Sequence, residues 1–206
     1  MKCEPTKKSH HHGRLREAVI ALALDEARQG SIEAISMRDV SRRLGVSPAA
    51  VYRHFADREA ILRAVAEAGF DLLAQRFEAV MPYASVPSDD SEALERFEAL
   101  AAEYVAFARG HFGLWRLMFG PYGLGPKPER AARPSTYDWL GKSLAELLAA
   151  GRIESATSQD QYFIWTAIHG FSDLCSSSAP LMAVSDTDAR DQARRALRSL
   201  GFRDRS

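Results

Sequence analysis

Residues 36–55, SMRDVSRRLGVSPAAVYRHF, leave few folds open, because two serines, a glycine and a proline are spaced to start and stop two short helices. Ser36 is placed to cap the first, with Asp39 three residues on as a variant of the capping box, and Val40 and Leu44, four apart, give it a buried side. Gly45 then falls where a left-handed backbone is least costly. Val46 fills the gap between the helices, Ser47 caps the second, and Pro48 suits a first turn whose N–H has no intrahelical partner. The second helix is expected over 48–55, burying Val51 and Phe55 and leaving Ala49, Ala50, Tyr52, Arg53 and His54 outward. Small residues let a helix N-terminus approach a surface closely, and Tyr, Arg and His can hydrogen-bond to phosphates or base edges. A recognition helix of a helix-turn-helix needs that combination, although an αα-corner in a helical enzyme would share the two-helix pattern. The flanking sequence decides between them.

The net charge of zero hides an asymmetry. Residues 1–63 carry 12 Lys+Arg against 8 Asp+Glu, and residues 64–206 carry 15 against 19, so the basic end coincides with the two short helices. A DNA-binding head on an acidic body fits this division, since cations near phosphates supply the salt-dependent part of the affinity. With 206 residues and 46% hydrophobic content the chain has ample material for a core. No run of about 18 apolar residues is present, and the first fifteen residues are polar and basic, unlike a signal peptide, so no membrane partner and a cytoplasmic location are expected. Cys3 and Cys175 have neither metal nor redox spacing and are expected to be reduced.

An all-α chain is predicted, with no strand and no repeat. Residues 1–13 form a polar, flexible arm with His10, His11 and His12; a tag remnant and a metal site are both open to three histidines, but the run KSHHHGRLREAVI leads directly into a helix, and no metal site is assigned. That helix, about 14–28, carries Leu15, Val19, Leu22 and Ala23 at helical spacing and closes at Gly30. Asp57 can cap a long helix to about Val80, through Ile61, Leu62, Val65, Phe70, Leu73 and Phe77. Residues 82–91 read as a loop. Helices follow over about 92–109, 111–119, 135–150, 160–176 and 186–200. The loop GPYGLGPKP at 120–128 has neither a preceding strand nor the spacing of a nucleotide fingerprint.

The block from His12 to Leu62 resembles the N-terminal domain of the tetracycline-repressor (TetR) family of transcriptional regulators. The resemblance rests on His11-His12-Gly13-Arg14-Leu15-Arg16, which matches a common HHG-x-L-R opening apart from the usual acidic residue at Arg14, on Ser36-x-Arg38, on the Gly45-Val46-Ser47 turn, and on Tyr52-Arg53-His54-Phe55 followed by Asp57 to Leu62. It implies a helix-turn-helix domain over 14–62, with a helical effector-binding and dimerisation domain over 63–206. It further implies that Arg38 reaches a base edge or phosphate, that Ser47, Pro48 and Ala49 face the groove, and that Ala50 sits where many members touch a phosphate. Tyr52 and His54 would bind phosphate, and Arg58 stands in place of a common phosphate-binding lysine. Because Pro48 and Ala49 have no long polar side chain, discrimination is expected from Arg38, Arg53, thymine-methyl contacts and DNA shape. Arg42 and Arg43 are read as solvated or near phosphate.

In the body, Trp165, His169 and Gly170 resemble the W-x-x-x-H-G signature of one TetR C-terminal subgroup. Trp165 and His169 share a helical face, and Gly170 lets another helix approach; His169 is open to two roles, effector contact or satisfied structural histidine. Phe77, Phe97, Tyr104, Phe107, Trp115, Met118 and Phe163 are the other candidates to line an effector cavity. The resemblance also implies a homodimer formed by the helices at 135–150 and 160–176, on a palindromic operator in double-stranded DNA, released when a small-molecule effector binds; no cofactor is implied. An effector-independent or activating DNA-binding regulator is the alternative. An enzyme is disfavoured because Asp138, Glu146, Asp160, His111, His169 and Asp173 form no HExxH or GxSxG motif and no cofactor fingerprint.

Overall fold

The structure, a computed structural model, describes residues 10–123, 134–176 and 184–203, with side chains from Arg14 onward. Nine α-helices occur among the described residues: α1 His10–Arg28, α2 Met37–Arg43, α3 Pro48–Tyr52, α4 Arg58–Val80, α5 Asp90–Gly110, α6 Phe112–Met118, α7 Thr136–Ala149, α8 Ser158–Ser176 and α9 Asp186–Leu197. Short 3-10 turns occupy Ile32–Ala34 and Arg198–Leu200, and no strand is present among these residues. Of the arm expected over 1–13, residues 1–9 lie outside the described set and His10 opens α1. The loop expected over 120–128 is described only to Gly123, and Cys3 also lies outside.

The chain divides into two compact units, Met1–Gly69 with Gly113–Gly125 and Phe70–Phe112 with Pro126–Ser206. In the first, α1 buries Val19, Ala23 and Ala27 completely, one small or branched side chain per turn, and packs on α2 and α3. Residues 113–123 join this unit through two glycines. A Cβ on Gly113 of α6 would lie 2.4 Å from the Ala27 carbonyl oxygen at the end of α1, and one on Gly69 of α4 would lie 2.7 Å from Sδ of Met118. The backbone approach at Gly113 is open only to a residue without a side chain, whereas a Cβ at Gly69 would require the Met118 side chain to move.

The second unit is built around α5, which packs on α7, α8 and α9 and buries Phe97, Leu100, Tyr104, Val105 and Phe107. Two ion pairs fix its neighbours. Arg96 donates from Nε and Nη2 to the two carboxylate oxygens of Glu146 on α7, each at 3.1 Å, and from Nη1 to Ser85 Oγ at 2.8 Å. Glu98 binds Arg194 of α9, with Arg190 3.6 Å away. Ser135 and Ser185 begin α7 and α9 with full capping boxes, each completed by an aspartate three residues on. Trp139 Nε1 donates to the Met81 carbonyl at 3.0 Å, tying α7 to the residue just beyond α4.

Candidate nucleic-acid interface

Each boundary of the helix-turn-helix has a chemical cause. Ser36 Oγ accepts from the Asp39 N–H at 3.1 Å, while the Asp39 carboxylate binds Arg42 at 2.5 Å. Gly45 takes φ +65°, and the Val46 N–H reaches back to the Ser41 carbonyl at 3.0 Å, closing α2 and turning the chain. Ser47 Oγ accepts from the Ala50 N–H at 3.3 Å, and Pro48 occupies the first turn of α3. The helix ends at Tyr52, short of the expected Phe55, because the His54 and Phe55 N–H groups both fold onto the Val51 carbonyl. Phe55 is buried, with the Arg16 guanidinium 5.5 Å above its ring.

Arg38, Ser47, Pro48, Ala49, Tyr52 and Arg53 are exposed, and His54 is half-buried. Tyr52 stands out at 55% exposure, unusual for an aromatic residue packed beside a core valine. Ala50 departs from the expectation that it faces outward. It is 8% exposed and buried with Val51, because a five-residue helix held against both α1 and α2 hides more than one stripe. Arg58 departs further. Its Nε donates to the Ile35 carbonyl at 2.7 Å and its Nη2 to the Ile32 carbonyl at 2.9 Å, so the guanidinium faces its own chain. Arg43 pairs with Glu26 of α1, whereas the Arg42 side chain keeps 74% exposure while pairing with Asp39.

The residues expected around an effector divide between the two units. Trp115 and Met118 are buried in the first; Phe77, Phe97, Tyr104 and Phe107 are buried in the second. Phe163 departs from its expected place in a cavity: at 51% exposure it lies on the outside of α8. Tyr104 and His169 do meet, with Tyr104 Oη 2.9 Å from His169 Nδ1, and Trp165 Nε1 donating to the same oxygen at 3.1 Å. The Trp165 and His169 rings stack at 5.1 Å. Burial pushes the Tyr104 phenol far above its ordinary range and lowers His169, the latter against the raising influence of Asp173. This unit also carries a solvent-open groove of about 500 Å³ along α7, lined by Val86, Pro87, Asp90, Lys142, Ala145 and Ala149 among others, none of them an expected effector residue. Among the described residues no three His, Cys, Asp or Glu side chains gather as a metal site, and no helix is long and apolar enough to cross a membrane.

Residues 19–65 match the family description "Bacterial regulatory proteins, tetR family", and residues 97–200, half of the chain, match "Tetracyclin repressor-like, C-terminal domain". The chain belongs to the TetR family of transcriptional regulators. A protein of unknown function from Rhodococcus sp. RHA1 is 31% identical over 94% of this chain and 99% of its own, with a TM-score of 0.71. A bacterial regulatory protein of the tetR family from Rhodococcus RHA1 is 21% identical over 93% and 99%, with a TM-score of 0.64. RolR, solved in complex with resorcinol, shares the fold at 16% identity over 95% and 91%, with a TM-score of 0.62. A comparison with curated proteins returns no match.

In this TetR-family regulator, a DNA-binding protein by its helix-turn-helix, several prominent surface groups gather on α7 and α8. Tyr162, Phe163, Thr166, Gly170 and Leu174 are all exposed along one side of α8, and Tyr137 and Leu148 are exposed on α7. Their spacing of four and eight residues was available in the sequence. What the spacing could not tell was whether that stripe meets this chain's own core.

Proposed function

We propose that this regulator is a ligand-responsive repressor that binds a palindromic operator as a homodimer. The observation that carries the reading is the pairing of two exposed surfaces of different chemistry. One is the polar tip of the helix-turn-helix, with Arg38, Ser47, Pro48, Ala49, Tyr52 and Arg53 outward; the other is the apolar stripe of α8 with Tyr137 and Leu148 of α7. Exposed apolar side chains gathered on one helix face ask for a partner, and a twofold partner is what two half-sites roughly 34–36 Å apart require. Tyr52 and His54 are assigned to phosphate, Arg38 and Arg53 to bases or phosphate, and the small residues Pro48 and Ala49 to close approach at the groove floor.

The effector reading follows from the second unit. It holds a polar group of three, buried Tyr104 of α5 with half-buried Trp165 and His169 of α8, and a small molecule that bound there would have a differential effect on conformations that pack α5 and α8 differently. Sedimentation of the purified chain tests the dimer. A band-shift assay against the DNA upstream of its own gene, at two salt concentrations, tests specific binding. A panel of small aromatic compounds beginning with resorcinol, the ligand of one structural neighbour, then tests release. A monomer in sedimentation, or specific binding that no compound alters, removes the corresponding part of the proposal.

A further inference from the structure

The cation at the start of α4 is spent inside the first unit. Arg58 uses one edge of its planar guanidinium, Nε donating to the Ile35 carbonyl at 2.7 Å and Nη2 to the Ile32 carbonyl at 2.9 Å. Those carbonyls belong to the 3-10 turn and the residue after it, directly ahead of the Ser36 cap that begins α2. The bonds span 23 and 26 residues of sequence, so they close the helix-turn-helix from outside, joining the residue that leads into it to the first turn that follows it. The neighbouring anchors are equally specific: the Ile35 side chain is 1% exposed, and Asp57 caps α4 through the Ala60 N–H at 2.7 Å. A charged donor on a neutral carbonyl makes a stronger bond than a neutral pair, and the fork fixes direction as well as distance.

We infer that Arg58 is a positioning residue for DNA binding, a clasp holding α2 and α3 in register with the start of α4, and not a phosphate contact. The inference rests on the DNA-binding role of the helix-turn-helix. The edge of the guanidinium that carries Nε and Nη2 is committed to the two carbonyls and Arg58 is half-buried, whereas Arg42 and Arg53 are exposed. A lysine has a single ammonium with no planar fork, so it could serve a phosphate but could not reproduce this pair of bonds in their fixed geometry.

The two roles separate in Arg58→Ala and Arg58→Lys, each measured on a duplex that the unaltered protein selects from a random-sequence pool, between about 50 and 200 mM salt. As a clasp, both variants lose about tenfold in affinity with the slope of log K on log salt unchanged, a loss equal to about 1.4 kcal/mol. In the DNA-free protein, amide exchange at Ile35 and Val40 speeds up by a similar factor in both variants. A phosphate contact would instead lower the slope by about 0.9 in Arg58→Ala, with Arg58→Lys restoring both slope and affinity, and that result overturns the inference. Unchanged exchange in both variants overturns it too. Should Arg58→Ala fail to fold, Arg58→Lys and Arg58→Gln carry the same comparison. If no duplex is selected, the DNA-binding reading fails separately, and the exchange measurement still decides whether the clasp exists.

Discussion

Tyr104 Oη lies 2.9 Å from Nδ1 of His169, a hydrogen bond that ties α5 to α8. Trp165 Nε1–H can only donate, so the phenol oxygen accepts from it at 3.1 Å, and the phenol hydrogen can be directed at Nδ1. That arrangement needs a neutral His169 with its proton on Nε2. Burial lowers the His169 pKa below the ordinary 6.5, with Asp173 opposing, so in acid the unfolded chain takes up a proton before the native one does. The contribution to stability is therefore complete above about pH 6.5 and is lost as pH falls from there through the lowered native value. Urea titrations from pH 8 to pH 5 should show this acid limb in the wild-type protein and a flatter one in His169→Asn, which keeps an acceptor but cannot titrate. Tyr104→Phe should cost about 1–2 kcal/mol at pH 7.5, since it leaves two polar neighbours without this partner. Equal acid limbs in wild type and His169→Asn would remove the titration from His169.

The Arg96–Glu146 pair predicts an asymmetry between losing one charge and losing both. Both side chains are nearly inaccessible, at 7% and 8% exposure, and Lys142 adds a third charge 2.6 Å from the same carboxylate. Glu146→Ala leaves the buried Arg96 guanidinium with Ser85 and with only the half-exposed Glu92 carboxylate, 3.8 Å away, and should cost up to about 3–5 kcal/mol of unfolding free energy. Replacing both, as Arg96→Met with Glu146→Leu, should recover most of that loss. Chemical denaturation of Glu146→Ala, of Arg96→Met and Glu146→Leu singly, and of the double variant gives the answer. An additive result would mean that the pair acts as two independent surface charges.

How far the sequence could be read varies with the kind of interaction. Serines and aspartates at helix starts act on their own nearest N–H groups, so Ser36, Ser47 and Asp57 were legible as caps, as was Gly45 as the turn. The 3-10 turn at Ile32–Ala34 was not, because three residues carry no period. Ala50 shows the limit of helical spacing: pattern alone assumes one buried stripe, and α3 is held on two sides. Arg58 and Phe163 show another limit. A first-turn arginine can turn toward solvent or toward carbonyls 23 residues away, and an apolar residue can serve its own core or a second molecule; the choice is made by partners distant in sequence.

Gly170 offers a test of the proposed dimer that leaves the protomer alone. A Cβ built on it meets nothing within 4 Å, and the residue is exposed between Thr166 and Leu174 on the outer side of α8. Within one chain, Gly170→Ala should be neutral or stabilising by about 0.5–1 kcal/mol, through helix propensity. Against a closely packed second copy of α8, the bulkier Gly170→Leu should weaken association by at least about fivefold, the effect of overpacking by about 1–3 kcal/mol. Sedimentation and thermal unfolding of both variants separate the two effects. A Gly170→Leu protein that associates as the wild type does would place the dimer seam elsewhere.

The tip of the recognition helix predicts a division of labour between affinity and specificity. Tyr52 is the most exposed aromatic group described in the first unit and carries a hydroxyl, while the Pro48 and Ala49 side chains are apolar. Tyr52→Ala should therefore weaken all DNA sequences alike, by about 1 kcal/mol for a phosphate hydrogen bond, with little change in salt slope because no charge is removed. Arg38→Ala should cost about 1–3 kcal/mol and relax the preference at one base position if the side chain reads a base edge, or lower the salt slope by about 0.9 if it meets a phosphate. Binding measured on the selected duplex and on its single-base variants distinguishes these outcomes. If neither substitution changes affinity, the outward face of α3 and the start of α2 do not touch DNA, and the exposure of Tyr52 needs another explanation.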